Sequence, residues 1–179
     1  MNTAEGNPEV NRNGNLDAYR GALDFARGQV GALVEASPDF FPIYTEHGRW
    51  RHEGELWTDW TGGFLAGMMW RFWQHTGEPV WRERAEHYSR LLEHRKEDRA
   101  VHDLGFIFLN TYLLWYQATG DADKQGVVIE AGQTLAKRFQ PAGNYLCSFV
   151  APESLFIDIM MNVPIIFYAA RETGDARLR

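Results

Sequence analysis

Asp158 stands alone among apolar side chains in Leu155-Phe156-Ile157-Asp158-Ile159-Met160-Met161. An isolated carboxylate taken out of water is costly to keep ionised, so these surroundings predict a raised pKa and a group able to donate a proton near neutral pH. The other reading is a helix-entry aspartate that caps backbone N–H groups, with Asn162 and Pro164 marking the first turn. A second carboxylate, Asp103, lies in His102-Asp103-Leu104-Gly105-Phe106. It too can cap a helix, or it can face a pocket beside His102, with Gly105 permitting close backbone approach. His102 taken alone reads more often as a satisfied structural histidine. A third stretch, Thr58-Asp59-Trp60-Thr61-Gly62-Gly63-Phe64, offers Trp60 as an aromatic face for a sugar ring, core packing being the alternative in a chain with seven tryptophans. His47-Gly48-Arg49-Trp50-Arg51-His52 reads as a basic, solvated loop that could also meet a carboxylated sugar.

A recurring punctuation shows how such residues would be positioned. Thr76-Gly77-Glu78, Thr119-Gly120-Asp121 and Thr173-Gly174-Asp175 follow one another at 43 and 54 residues, a spacing that marks repeated helical hairpins. Each glycine reads as the left-handed residue after a helix, and the acid that follows opens the next one. The segments before the turns, 64–73, 104–116 and 155–170, are apolar nearly all round and predict buried inner helices. The segment after the first turn is amphipathic, with Trp81, Ala85, Tyr88 and Leu92 on one stripe, and predicts an outer helix. Leu16 to Val34 predicts one further amphipathic helix, for six in all and no strand. The fold class is therefore all-α, an α/α toroid in which inner N-termini meet at one end. Residues 57–63, 102–106 and 154–162 would converge there. Since a closed toroid commonly takes about six hairpins and an open stack leaves its end faces uncovered, the chain reads as about half a barrel, with an apolar edge that a missing C-terminal half or a self-association partner would cover.

Composition narrows the chemistry. Eighteen Lys and Arg are scattered among twenty-four Asp and Glu for a net charge of −6, which argues against nucleic acid. No apolar run is long enough to span a membrane. Cys147 is the single cysteine, so no intrachain disulfide and no paired-Cys zinc site is available. Phosphate-loop, serine-elbow and His-Glu-x-x-His patterns are absent, and neither metal nor cofactor is expected. Residues 1–15 lack a basic and an apolar region and read as a disordered polar tail rather than a signal peptide, with 16–179 as the catalytic portion and a cytoplasmic location expected.

Together, Trp57-Thr58-Asp59-Trp60-Thr61-Gly62-Gly63-Phe64, the His102 to Phe106 motif and Ile157-Asp158-Ile159-Met160-Met161-Asn162-Val163-Pro164 resemble the unsaturated glucuronyl hydrolases of glycoside hydrolase family 88 in order, spacing and Thr-Gly-acid punctuation. The resemblance implies an (α/α)6 barrel glycosidase that removes a 4,5-unsaturated uronic acid from the non-reducing end of lyase-generated oligosaccharides by hydrating the vinyl ether double bond. It implies Asp158 as the general acid/base, Asp103 as the group that holds ring hydroxyls and sets the proton balance with His102 beside it, and Trp60 as a wall of the sugar site. Phe149 stands where the family commonly has a tryptophan, so stacking there would be weaker. Contacts to the uronate carboxylate lie in the family's second half, and the 179-residue chain is expected to be inactive alone. The related family 105, acting on unsaturated galacturonyl substrates, and a non-catalytic sugar-binding half-barrel are the alternatives. A toroidal epimerase would need two inner-helix catalytic histidines, whereas His75 falls at a helix end.

Overall fold

The structure, a computed structural model, describes residues 8–52 and 60–178. Trp57-Thr58-Asp59, the start of the first family-like motif, lies outside the described residues. The chain divides into two units, Met1–Pro38 and Asp39–Arg179. The first is one helix, α1 (Pro8–Ala36). It starts at Pro8 rather than Leu16 and so takes in the latter part of the segment read as a disordered tail; proline suits a first helical turn, where no intrahelical partner for its missing N–H is needed.

In chain order the second unit holds β1 (Tyr44–Glu46), β2 (Arg49–Arg51), α2 (Trp60–Thr76), α3 (Pro79–Leu91), a 3₁₀ turn at Glu93–Glu97, α4 (Leu104–Phe108), α5 (Tyr112–Thr119), α6 (Ala122–Ala136), β3 (Phe139–Gln140), β4 (Tyr145–Leu146), α7 (Ile159–Asn162), α8 (Pro164–Thr173) and a 3₁₀ turn at Ala176–Leu178. The all-α reading holds, with two small antiparallel hairpins, β1–β2 and β3–β4, where no strand was expected. The first is made by His47 and Gly48, both at positive φ, the geometry of a two-residue hairpin turn. The basic stretch 47–52 is therefore largely a strand and its turn.

Inner helices α2, α4–α5 and α7–α8 alternate with outer helices α3 and α6. The second inner helix is broken because Asn110 and Thr111 turn their side chains back onto the carbonyls of Phe106 and Ile107, each at 2.8 Å, a contact that competes with the helical ladder. The third begins at Ile159, after Leu155 and Phe156, and is interrupted before Pro164, whose ring removes a backbone donor. Trp70, Phe72, Tyr88, Leu104, Ile107, Phe108, Leu135 and Ile165 are fully buried between the layers. The 3₁₀ turn is tied to the core by the Tyr112 hydroxyl, which donates to Glu93 at 2.7 Å. That bond holds the Glu93 carboxyl below the usual range, and burial followed by the neighbouring Glu93 pushes the Tyr112 phenol up.

The Thr-Gly turns are built alike three times. Thr76, Thr119 and Thr173 donate their hydroxyls to the carbonyls of Phe72, Trp115 and Ala169 and accept at 3.2 Å from the backbone N–H of Glu78, Asp121 and Asp175. The glycine between has φ of 71–72° in each, where a Cβ would be strained. The repeat read from the sequence is a repeat of hydrogen bonds.

Adjacent inner helices touch backbone to backbone at their entries. A Cβ on Gly63 would lie 2.6 Å from Ile107 Cα, and one on Gly105 would lie 2.5 Å from Asn162 Cα. Because both neighbours are backbone, neither site can relax by rotating a side chain. The inner face itself is open: Trp60, Phe64 and Met68 recur every fourth residue on α2 at 41%, 40% and 37% exposure, and Ile157, Met160 and Phe167 are more exposed still. A groove of about 930 Å³ adds to this apolar edge, walled by Phe139, Tyr145, Leu155, Ile159 and Phe167. Among the described residues no helix is long and apolar enough to cross a membrane. Replacing Gly105 by Ala should push α4 and α7 apart and lower stability by about 1–3 kcal/mol, the usual cost of overpacking. Urea unfolding of G105A against the parent chain measures it, with G126A in α6, where added volume meets nothing within 4 Å, as the control.

Candidate active site

Gly105 sets the spacing of the site. With α4 and α7 in backbone contact there, the residues just ahead of each helix are brought side by side, although His102 and Asp158 are 56 positions apart in the chain. Neither aspartate caps its helix: Asp103 and Asp158 occupy the N-cap positions of α4 and α7 without a side-chain cap hydrogen bond. Both carboxylates are directed at His102 instead. Its Nε2 lies 3.2 Å from Asp158 Oδ2 and 3.6 Å from Asp103 Oδ1. The His102 ring is fully buried and Asp103 is 3% exposed, whereas the Asp158 side chain is 42% exposed.

That exposure corrects the desolvation expected for Asp158. Its apolar sequence neighbours do not enclose it, for Ile157 is 82% and Met160 68% exposed. An apolar run signals burial only when its residues face protein, and these face the open inner side. Asp158 is thus only partly exposed: Oδ2 meets His102, and Oδ1 is screened from solvent and makes no hydrogen bond among the described residues, so the exposed area belongs to the rest of the side chain.

The imidazole is held on three sides. Phe149 stacks on its face at 5.2 Å and 19°, and Phe156 meets it edge-on at 5.8 Å. The backbone N–H of Phe149 donates to Nδ1 at 3.2 Å. A backbone amide can only donate, so Nδ1 carries the lone pair and the proton sits on Nε2, facing Asp158. His102 is thereby a neutral donor. His102, Asp103 and Asp158 offer ligand atoms within 4.8 Å of one another, a spacing that a cation could use only by displacing the Nε2 proton. The hydrogen bonds favour a proton-handling cluster.

Of the expected site residues, the structure brings Asp158, Asp103, His102 and Phe149 into one group. Phe149 covers the histidine rather than presenting a bare stacking face. Trp60 packs on Phe64 at 5.7 Å and Phe106 at 5.5 Å, so it lies on the aromatic wall that continues from the α4 entry. The residue that the sequence reading passed over as a mere helix marker is Asn162. It is fully buried, accepts from the Phe106 N–H at 2.8 Å and donates to the Asp158 carbonyl at 3.2 Å. A buried amide one turn after a candidate acid, in an otherwise apolar helix, was the signal for it.

No protein-family model matches the chain. Curated relatives do: the unsaturated glucuronyl hydrolase of Formosa agariphila is 31% identical over 126 residues, covering 65% of this chain and 31% of the relative. The unsaturated chondroitin disaccharide hydrolase of Streptococcus pneumoniae is 26% identical over 128 residues, covering 67% and 32%. Among solved structures, an unsaturated glucuronyl hydrolase from Streptococcus agalactiae superposes with a TM-score of 0.78 at 22% identity, over 89% of this chain and 42% of that one. These comparisons support the unsaturated glucuronyl hydrolases as the family this chain is similar to, over about two thirds to most of its length. The chain spans about a third of the length of these curated relatives. The Bacillus sp. GL1 unsaturated glucuronyl hydrolase structure, with a TM-score of 0.71 at 23% identity over 83% of this chain, repeats the agreement in fold, that of the (α/α)6 barrel proteins.

Replacing Asn162 by Ala leaves the Phe106 N–H buried without an acceptor, a defect that should cost about 1–3 kcal/mol. Urea unfolding of N162A measures this, and an unchanged midpoint would show that the bond contributes nothing.

Proposed function

We propose that this chain carries the acid/base half of an unsaturated glucuronyl hydrolase, a glycosidase acting on the 4,5-unsaturated uronic acid at the non-reducing end of an oligosaccharide. The single observation that supports it most is the state of Asp158, with one oxygen fixed by a neutral histidine and a side chain open to the inner face. In the proposed reaction the Asp158 carboxyl gives its proton to C4 of the C4=C5 double bond, and the ring oxygen stabilises the cation that develops at C5. The resulting carboxylate takes a proton from water as that water's oxygen bonds to C5. Water has then been added across the double bond, Asp158 is again a carboxyl, and the hemiketal at C5 opens and releases the remaining sugar. This needs one carboxyl acting as acid and then base, not the two flanking carboxylates of ordinary glycosidases.

Asp103, buried beside His102, positions ring hydroxyls and sets the proton balance of the group, and Trp60 with Phe106 forms an apolar wall for the sugar. The uronate carboxylate would be recognised outside residues 1–179, so the chain alone is expected not to turn over substrate, and its open apolar face is where further hairpins would pack. The test is a chimera in which residues 39–178 replace the matching segment of the Formosa agariphila enzyme. Folded chimera should consume an unsaturated uronyl disaccharide, followed by loss of absorbance of the conjugated double bond. Asp158→Asn should lower kcat by roughly 10²–10⁴-fold, as expected for removal of a general acid, with circular dichroism unchanged. An active Asp158→Asn chimera overturns the assignment, and binding without turnover by the folded parent chimera would favour a sugar-binding role instead.

A further inference from the structure

Arg138, two residues beyond the end of α6, binds three backbone carbonyls from two separate segments. Nε donates to the Cys147 carbonyl at 2.9 Å, Nη1 to the Arg99 carbonyl at 2.5 Å, and Nη2 to the Ser148 carbonyl. Only a planar fork of fixed N–H directions serves three acceptors in this way. One segment leads into His102, and the other is the loop that carries Phe149. The loop is also held from within, since the Ser148 N–H donates to the Ser154 carbonyl at 2.7 Å and the Ser148 hydroxyl accepts from the Val150 N–H at 3.1 Å.

The Ser148 carbonyl and the Phe149 N–H belong to the same peptide unit. That unit is planar and trans, so its C=O and N–H point in opposite directions. Fixing the carbonyl on Arg138 therefore aims the N–H at His102 Nδ1, where it lies at 3.2 Å. A cation on the oxygen also draws electron density from the amide and makes its N–H a stronger donor. We propose that Arg138 is a positioning residue that, through the Ser148–Phe149 peptide, holds His102 as the Nε2–H tautomer directed at Asp158. The chain of contacts runs guanidinium, peptide, imidazole, carboxylate. Without it His102 could carry its proton on Nδ1 and present Nε2 as an acceptor, and the contact to Asp158 would change from donor on acceptor to two acceptors competing for a proton. Among the described residues the Arg138 guanidinium hydrogen-bonds only backbone carbonyls, so it acts on the acid at two removes.

The catalytic meaning of this clamp rests on Asp158 being the acid of the proposed reaction, but the clamp is tested without substrate. The 179-residue chain labelled with ¹⁵N-histidine is observed by long-range ¹H–¹⁵N correlation at neutral pH, with His102→Gln assigning the His102 pattern. The parent chain should show a single His102 tautomer, Nδ1 in the unprotonated range and Nε2 in the protonated range. In Arg138→Ala the two nitrogen shifts should move toward each other as both tautomers populate. Arg138→Lys, which restores a cation but not the fork, should show a smaller convergence. An arginine that only held the loop together would lower the unfolding midpoint and leave the tautomer unchanged. An Arg138→Ala chain that keeps the parent pattern overturns the proposal. If that variant does not fold, Arg138→Lys decides, with parent-like shifts counting against. A parent chain with Nδ1–H or doubly protonated His102 overturns it at once. Loss of activity in the chimera with the tautomer as expected would instead remove the hydrolase reading and leave the clamp standing.

Discussion

The contact of α4 with α7 at Gly105 is the constraint on which the rest depends. No side chain separates the helices there, and Asn162 then closes the interface by accepting from the α4 backbone and donating to the α7 backbone. The helices are so brought to backbone contact at their entries, and Asp103 and Asp158 are both delivered to His102. Any larger residue at 105 would move the two carboxylates apart before it affected either of them directly. The geometry of the site is thus a property of helix packing more than of the loops that flank it.

Around that contact the Thr-Gly turns set direction. Each returns the chain at the far end of an inner helix, with the threonine bonding on both sides of a left-handed glycine, so that successive inner helices run the same way and open at the same end. Parallel inner helices collect their N-terminal residues, and the residues preceding them, at one end. The candidate site lies where the architecture gathers helix entries, which is why a fold read from three turns also points to where it would be. Asp103 and Asp158 could have satisfied those entries as caps. They do not: Asp158 meets His102 Nε2 at 3.2 Å, and Asp103 Oδ1 lies 3.6 Å from the same nitrogen.

His102 converts an acidic cluster into an asymmetric one. Asp103 is buried on one side and Asp158 is open on the other, so two like groups around one imidazole acquire different access to anything entering from the inner face. Phe149 and Phe156 close the ring against solvent, and the aromatic row of Trp60, Phe64 and Phe106 continues the apolar wall beyond it. Such a mixture of one partly exposed carboxyl and apolar walls is what the proposed reaction asks for, a proton at one atom and apolar contact elsewhere.

The sequence by itself determined the helical hairpins and their turns, and it singled out the residues that the structure gathers at the helix entries, because each of these is written locally. A Thr-Gly-acid triplet carries its own hydrogen bonds, an apolar run has its own period, and an aspartate in such a run stands out wherever the run is placed. It did not determine the environment of Asp158, since whether an apolar neighbour encloses a carboxylate or faces open space is decided by elements distant in the chain. Although it did mark Pro164 as a first-turn residue, it did not reveal the break at Asn110, the two hairpins of strands, or the parts played by Asn162 and Arg138. Those two residues act on backbone atoms, Asn162 on two helices and Arg138 on segments on either side of it in the sequence, and backbone partners leave no pattern of residue types to read. Tertiary structure alone decided which nitrogen of His102 faces Asp158, because that follows from where one distant peptide N–H comes to lie.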